Sequence, residues 1–410
     1  MKCHWTTRNT RRSSDSPNAA KPSTPWRRLC LMIVLGFGTA SPCAYGQGWL
    51  FSFNGADGSI PMAGVVRDSA GNLYGTTFYG GLGSGVVFKV DASGNDTTLH
   101  KFTCGADGCS PSAALIRDAA GNLYGTTVNG GDPICQCGVV FKMDKNGNET
   151  VLHTFIGGQD GASSYAPLIR DAAGNLYGTT VLGGRNGNGI VFKLDASGKE
   201  TVLYRFRGGA DGSQPSGGLF RDSAGNLYGT TGSGGHLNGT VFKLDAAGHE
   251  TVIYRFRGGV DGSGPIGGVI RDSAGNLYGV TNGGGANTDC TVGGQACGTI
   301  FKIDSNGTKT TLHSFDGNDA GSDGAFPEAG LIRDSAGNLY GTTSAGSGGV
   351  NEGTLFEFSA AGEESVLTYV EGLPAGGVIR DSAGNFYGAT KVGGPDFNPC
   401  GTVFVFTPSL

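Results

Sequence analysis

Residues 217–256 read GGLFRDSAGNLYGTTGSGGHLNGTVFKLDAAGHETVIYRF, and this stretch decides the fold. Four short apolar runs, Gly218–Asp222, Asn226–Thr231, Thr240–Asp245 and Glu250–Phe256, alternate with clusters of Gly, Asn, Asp, Ser and Ala. Short runs bounded by such clusters read as strands, labelled A to D here. Ser223-Ala224-Gly225-Asn226 makes a tight turn between A and B, in which Gly supplies positive φ and the Asp222 carboxylate accepts turn N–H groups. Ala246-Ala247-Gly248 does the same between C and D. Four antiparallel strands of this length form one propeller blade.

The stretch recurs. Arg-Asp opens a segment of the form R-D-[SA]-A-G-N-[LF]-Y-G at Arg67, Arg117, Arg170, Arg221, Arg271, Arg333 and Arg380. A period of about 50 residues leaves a propeller or a solenoid, and the two ends of the repeat array choose between them. Trp49–Gly58 matches the end of a strand D and its following loop, as at Tyr204–Gly212, whereas Gly401–Phe406 is a strand C. One end holds the strand that the other lacks. The expectation is an all-β, seven-bladed β-propeller over residues 47–410, closed by residues 48–53 pairing against Thr402–Phe406. Closure of that kind removes the exposed strand edge, whereas a linear array would need capping repeats. Tyr74, Tyr124, Tyr177, Tyr228, Tyr278, Tyr340 and Tyr387 recur in strand B, and Phe88, Phe141, Phe192, Phe242, Phe301, Phe356 and Phe404 in strand C. These rings read as packing between blades.

Residues 1–46 differ from the rest. Arg8, Arg11, Arg12, Lys21, Arg27 and Arg28 precede an apolar stretch from Leu29 to Gly38, and small residues follow, which is the order of a secretory signal. Ala44-Tyr45-Gly46 places cleavage before Gln47. The apolar stretch is short for a membrane span, and Ala40 and Pro42 fit lipid attachment at Cys43 poorly. Loss of this segment removes seven basic residues and one acidic one, so 22 Lys+Arg face 33 Asp+Glu. A domain that acidic is not a phosphate-backbone binder. A secreted, periplasmic or cell-surface address is expected, with no membrane span in the mature chain and a monomeric state.

With its G-N-L-Y-G-T-T and G-T-V-F-K signatures, the chain resembles the GloVer tandem-repeat (choice-of-anchor) family of exported bacterial proteins over residues 48–410. The resemblance implies a fold and an address, not a reaction. Members often end in an anchoring segment; this chain departs from that pattern, stopping at Leu410, four residues beyond its last strand, which leaves anchoring through the C-terminus open. The repeats are also broadly similar to those of NHL and Kelch propellers, which bind in some proteins and catalyse in others.

The candidate chemistry is sparse. His100, His153 and His313 hold the strand D place that Tyr204 and Tyr254 fill in other blades, which speaks for packing with a satisfied polar tip. His249 lies in a C–D turn, where it reads as solvated, and His236 in a variable loop. The repeated Arg-Asp pairs read as structure, since seven equivalent sites do not distinguish an acid from a base. Asp57, Asp107, Asp160, Asp211, Asp261 and Asp323 each precede Gly in a D–A loop. Turn formation is preferred there over Ca²⁺ binding. No G-x-S-x-G, H-E-x-x-H, EF-hand or P-loop motif occurs, and no metal or cofactor is expected.

Seven cysteines follow the export segment. Cys290–Cys297 and Cys104–Cys109 are expected to pair, with cross-pairing between the loop of Cys104 and Cys109 and the loop of Cys135 and Cys137 as the alternative, and Cys400 left over. Because strands alternate in direction, the A–B and C–D loops share one face and the B–C and D–A loops the other. The second face varies between blades. A binding or scaffold function, recognising a glycan or a protein, is therefore placed there, at Tyr79, Asp132, Arg185, His236, Asp289 and Phe397. The alternative is a polysaccharide- or lactone-directed lyase or hydrolase using carboxylates such as Asp132, Asp289, Glu352 and Asp396.

Overall fold

A computed structural model describes residues 46–287, 290, 296–317, 323–346, 352–394 and 398–408, with backbone alone for 46 and 47. Its strands form seven four-stranded antiparallel sheets. Six are built from consecutive strands; the seventh takes Gly46–Ser52 as its outer strand beside Thr402–Thr407, Phe386–Thr390 and Ile379–Arg380. Gln47 lies opposite Phe406 and Ser52 opposite Thr402, so the ring closes as the repeat requires. The closing strand begins at Gly46, two residues earlier than expected. Blades are numbered from 1 in chain order, the closing one being blade 7.

In the reference repeat, strand B is Leu227–Thr231, C is Thr240–Leu244 and D is Glu250–Arg255, all within a residue of the expected bounds. Strand A is shorter than expected, only Phe220–Arg221. In three blades the strand B threonine donates sideways to the inner segment of the next blade, Thr76 to the Ala113 carbonyl, Thr126 to that of Ser164 and Thr342 to that of Gly376, whereas the Thr179 and Thr230 hydroxyls are buried without a hydrogen-bond partner among the described residues. Those carbonyls serve the neighbouring blade rather than a ladder with their own strand B.

The core lies between blades. Phe88, Phe141, Phe192, Phe242, Phe301 and Phe356 are almost wholly buried, and each meets edge-on a phenylalanine that ends strand D of the blade before. Across the closure, Phe53 supplies that ring, 5.0 Å from Phe88. The strand C ring also explains the invariant Tyr-Gly of strand B. A Cβ on Gly229 would stand 2.7 Å from Phe242 Cζ, so a side chain there would displace the ring.

Candidate functional site

The face carrying the A–B and C–D turns is occupied by self-contained bonding. Asp68 accepts the backbone N–H groups of Ala70 and Asn72, the Asn72 amide and the Tyr74 hydroxyl. Tyr-to-Asp bonds of this kind span 3.0–3.2 Å in all seven blades. Burial alone would raise the Asp68 pKa, but the bonds from Asn72 and Tyr74 hold it below the ordinary value. The arginines bridge blades: Arg221 lies 5.5 Å over the Tyr177 ring, Arg271 5.4 Å over Tyr228, and Arg67 5.2 Å over Tyr387 across the closure. The Arg-Asp repeat is therefore spent on turns and blade junctions. His249 contacts Asp245 at 3.1 Å and is 80% exposed, a solvated turn residue as expected.

The opposite face surrounds the mouth of an axial cavity of about 330 Å³, to which all seven blades contribute. The residue five places before each repeat arginine differs around this ring: Met62, Ser112, Tyr165, Ser216, Ile266, Glu328 and Ala375. All but Ala375 line the cavity. The approach to the six lining positions is shared, since Ile60, Ser110, Ser163, Gln214 and Phe326, two residues earlier, all hold φ of 54–58° and Gly264 holds 62°; Leu373, the equivalent residue of blade 7, does not enter the left-handed region. A non-glycine residue in the left-handed region costs on the order of 1–3 kcal/mol. Two backbone bonds fix the geometry: Gln214, for example, donates to the Asn188 carbonyl of the preceding blade and accepts from Gly232 of its own. A constant and costly backbone thus presents variable side chains to the mouth. Tyr165 is 41% exposed there, and Lys391, opening the last B–C loop, donates to Glu328 at 2.6 Å.

Tyr79, Arg185 and His236 stand exposed on this face, on three different blades. Asp132 is turned into its own loop, accepting from the N–H groups of Ile134 and Cys135, both at 2.9 Å. Asp289, Phe397 and Asp396 lie outside the described residues. Glu352 opens a strand C opposite Glu371. Among the described residues lining the axial cavity, Glu328 is the one carboxylate. Sequence reasoning passed over Tyr165 and Glu328; aligning the repeats at the position five before Arg would have found both.

At the outer rim, five D–A loop aspartates reach back to the strand D they follow, while Asp57 accepts from Asn54 of its own loop. His100 meets Asp107 at 3.3 Å and His153 meets Asp160 at 3.4 Å, while Tyr204 donates to Asp211 at 2.6 Å and Tyr254 to Asp261 at 2.7 Å. The rings also pack edge-on against the phenylalanine two residues on. Each aspartate also accepts a backbone N–H of its own loop, such as Arg207 N for Asp211 and Ile156 N for Asp160. A carboxylate from the start of the next strand D closes most of these junctions. Burial, then the nearby aspartate, pushes Asp96 and Glu200 up to about 6 and Glu149, Glu250 and Glu364 up to about 7.

This has a pH consequence. A carboxyl group whose folded pKa exceeds its unfolded value contributes stability that is present below the unfolded pKa and lost as pH rises through the folded one. The turn aspartates, held low, contribute stability that is lost only in acid. Tm is therefore expected to be highest near about pH 5 and to fall toward about pH 8. Melting curves across that range, in buffer with chelator, check this; a Tm that rises steadily to pH 8 would contradict it. The triple variant Glu149→Gln/Glu200→Gln/Glu250→Gln should flatten the fall.

Disulfides join Cys104 to Cys109 and Cys290 to Cys297, as expected. Cys135 bonds Cys137 within its own loop, not across to the other. Cys400 is not left over, contrary to expectation: it is disulfide-bonded.

Fold and closure define a seven-bladed β-propeller whose variable face surrounds its axis. The chain belongs to the Gloeobacter/Verrucomicrobia repeat family, whose pattern matches residues 41–238, 134–320 and 237–410. No curated protein matches it. Two crystal structures of the extracellular domain of BT4673 from B. thetaiotaomicron are similar, with TM-scores of 0.57 and 0.55 at 12% identity over 88% of this chain. The chain spans only 40% and 39% of theirs. A luciferin-regenerating enzyme aligns with a TM-score of 0.42 at 12% identity, over 86% of this chain and 93% of its own. Likeness at such identity speaks to fold alone.

Proposed function

We propose that the protein is an exported, non-enzymatic binding propeller that docks a protein partner on the face bearing the B–C and D–A loops. One observation carries the reading. Among the described residues, the exposed large apolar ones are Tyr79, Leu82, Ile134, Ile156, Tyr165, Leu182, Leu237, Val260 and Tyr369, and every one except Tyr369 sits in a B–C or D–A loop. Apolar groups gathered on one face mark an interaction surface, and a rigid scaffold carrying variable loops is where recognition is placed. Six of these side chains are aliphatic, offering a sugar neither a hydrogen bond nor a flat ring, so a protein partner is favoured over a glycan.

Export rests on the disulfides, which persist in oxidising compartments, and among the described residues no helix is long and apolar enough to cross a membrane. The docking face is tested by photo-crosslinking from Leu182 against Lys199. Adducts from the first position support the reading; adducts from the second alone overturn it.

A further inference from the structure

We infer that His313, Asp323 and Glu364, with Asp316 beside them, form a site for a divalent transition-metal ion of the Zn²⁺ class that staples blade 5 to blade 6. His313 comes from strand D of blade 5, Asp316 and Asp323 from the loop that follows, and Glu364 from the start of strand D in blade 6. One ligand atom from each of His313, Asp323 and Glu364 lies within 4.8 Å of the others. His313 Nε2 contacts Asp323 Oδ2. Asp316 and Asp323 are bound to each other, Asp316 N donating to Asp323 at 2.7 Å and Asp323 N to Asp316 at 3.1 Å.

Two features combine at this junction. Glu364 Oε1 is withdrawn from solvent and has no hydrogen-bond partner among the described residues, as is also true of a carboxylate oxygen of Asp96, Glu149, Glu200 and Glu250 at other junctions. Burying an acceptor without a partner is costly. The charges that bear on Glu364, among the described residues, are Asp323, His313 and Asp316, with no lysine or arginine among them. Three carboxylates and one imidazole thus converge without a resident cation.

The equivalent groups at His153, Asp160 and Glu200 also come within 4.8 Å of one another, but Arg205 bears on both carboxylates there. At Asp261 the neighbouring strand supplies Lys309, whose Nζ reaches the carboxylate at 3.2 Å. In both places a side chain already balances the charge. A mixed imidazole and carboxylate set suits Zn²⁺ or a similar ion, whereas Ca²⁺ takes oxygen ligands throughout. His313 is 22% exposed and Asp323 12%, which leaves an ion a way in.

Metal content after dialysis of the whole protein against ZnCl₂ tests the site, with Tm measured alongside. The wild type should retain about one zinc per chain and melt higher than with chelator. His313→Tyr should retain none, and Tyr204 and Tyr254 show that the fold accepts tyrosine in that place. Glu364→Gln, isosteric with the native residue, should also lose the ion, while His153→Tyr should keep it. A wild type that retains no zinc would overturn the proposal, as would equal retention by the His313→Tyr and Glu364→Gln variants.

Discussion

Removal of residues 46–53 is expected to leave a chain that does not fold to a soluble monomer. Those residues supply the whole outer strand of blade 7, pairing from Gly46 opposite Thr407 to Ser52 opposite Thr402. They also carry Phe53, 1% exposed, which packs edge-on against both Phe51 and Phe88. Its backbone is held at both ends, its N–H donating to the Gly401 carbonyl at 3.0 Å and its carbonyl accepting from the Asn398 amide at 2.7 Å. Truncating one buried phenylalanine costs about 3–5 kcal/mol, a large part of the roughly 5–15 kcal/mol by which a domain is stable. The deletion also bares Thr402–Thr407 as a strand edge, a template for aggregation. Size-exclusion chromatography and melting of the truncated protein check this. A monodisperse product with the wild-type Tm would contradict ring closure.

The second large effect is expected from Phe242→Ala. Phe242 is wholly buried, 5.1 Å from the Phe206 ring of the preceding blade, and lies over Gly229. Its loss empties one blade junction and should cost about 3–5 kcal/mol in chemical denaturation. Leu237→Ser, on an 88% exposed residue of the variable face, should stay within about 0.5 kcal/mol of wild type. A cost below about 1 kcal/mol for Phe242→Ala would mean that the aromatic ladder does not hold the blades together.

What the sequence makes legible is what repeats. Asp222, Asn226 and Tyr228 form one bonded unit, and their sevenfold recurrence identifies the turn without coordinates, as does the His/Tyr exchange at His100 and Tyr204. The bounds of strands B, C and D follow from the same alignment. Contacts between blades are harder to read. The bonds by which Thr76, Thr126 and Thr342 reach a neighbouring blade are ones that no pattern within one repeat reveals. Asp132 was chosen because it is unique to its blade, yet its loop needs it as a cap. Tyr165 and Glu328 are hard to read from sequence because the B–C loops vary in length, whereas the mouth varies in side chain at a fixed place in the repeat.

The most direct test of the binding face is a photo-reactive residue placed at Leu182 in one version of the protein and at Lys199 in another, each expressed in its native host and irradiated. Leu182 is 47% exposed in a B–C loop; Lys199 lies in the C–D turn on the opposite face, its N–H bound to Asp195. The expected result is a discrete protein adduct from position 182 and none from 199, with the adduct reduced by Tyr79→Ser/Leu237→Ser. Adducts from position 199 alone would place the site on the other face, and glycan-array binding without any protein adduct would replace the protein partner with a sugar.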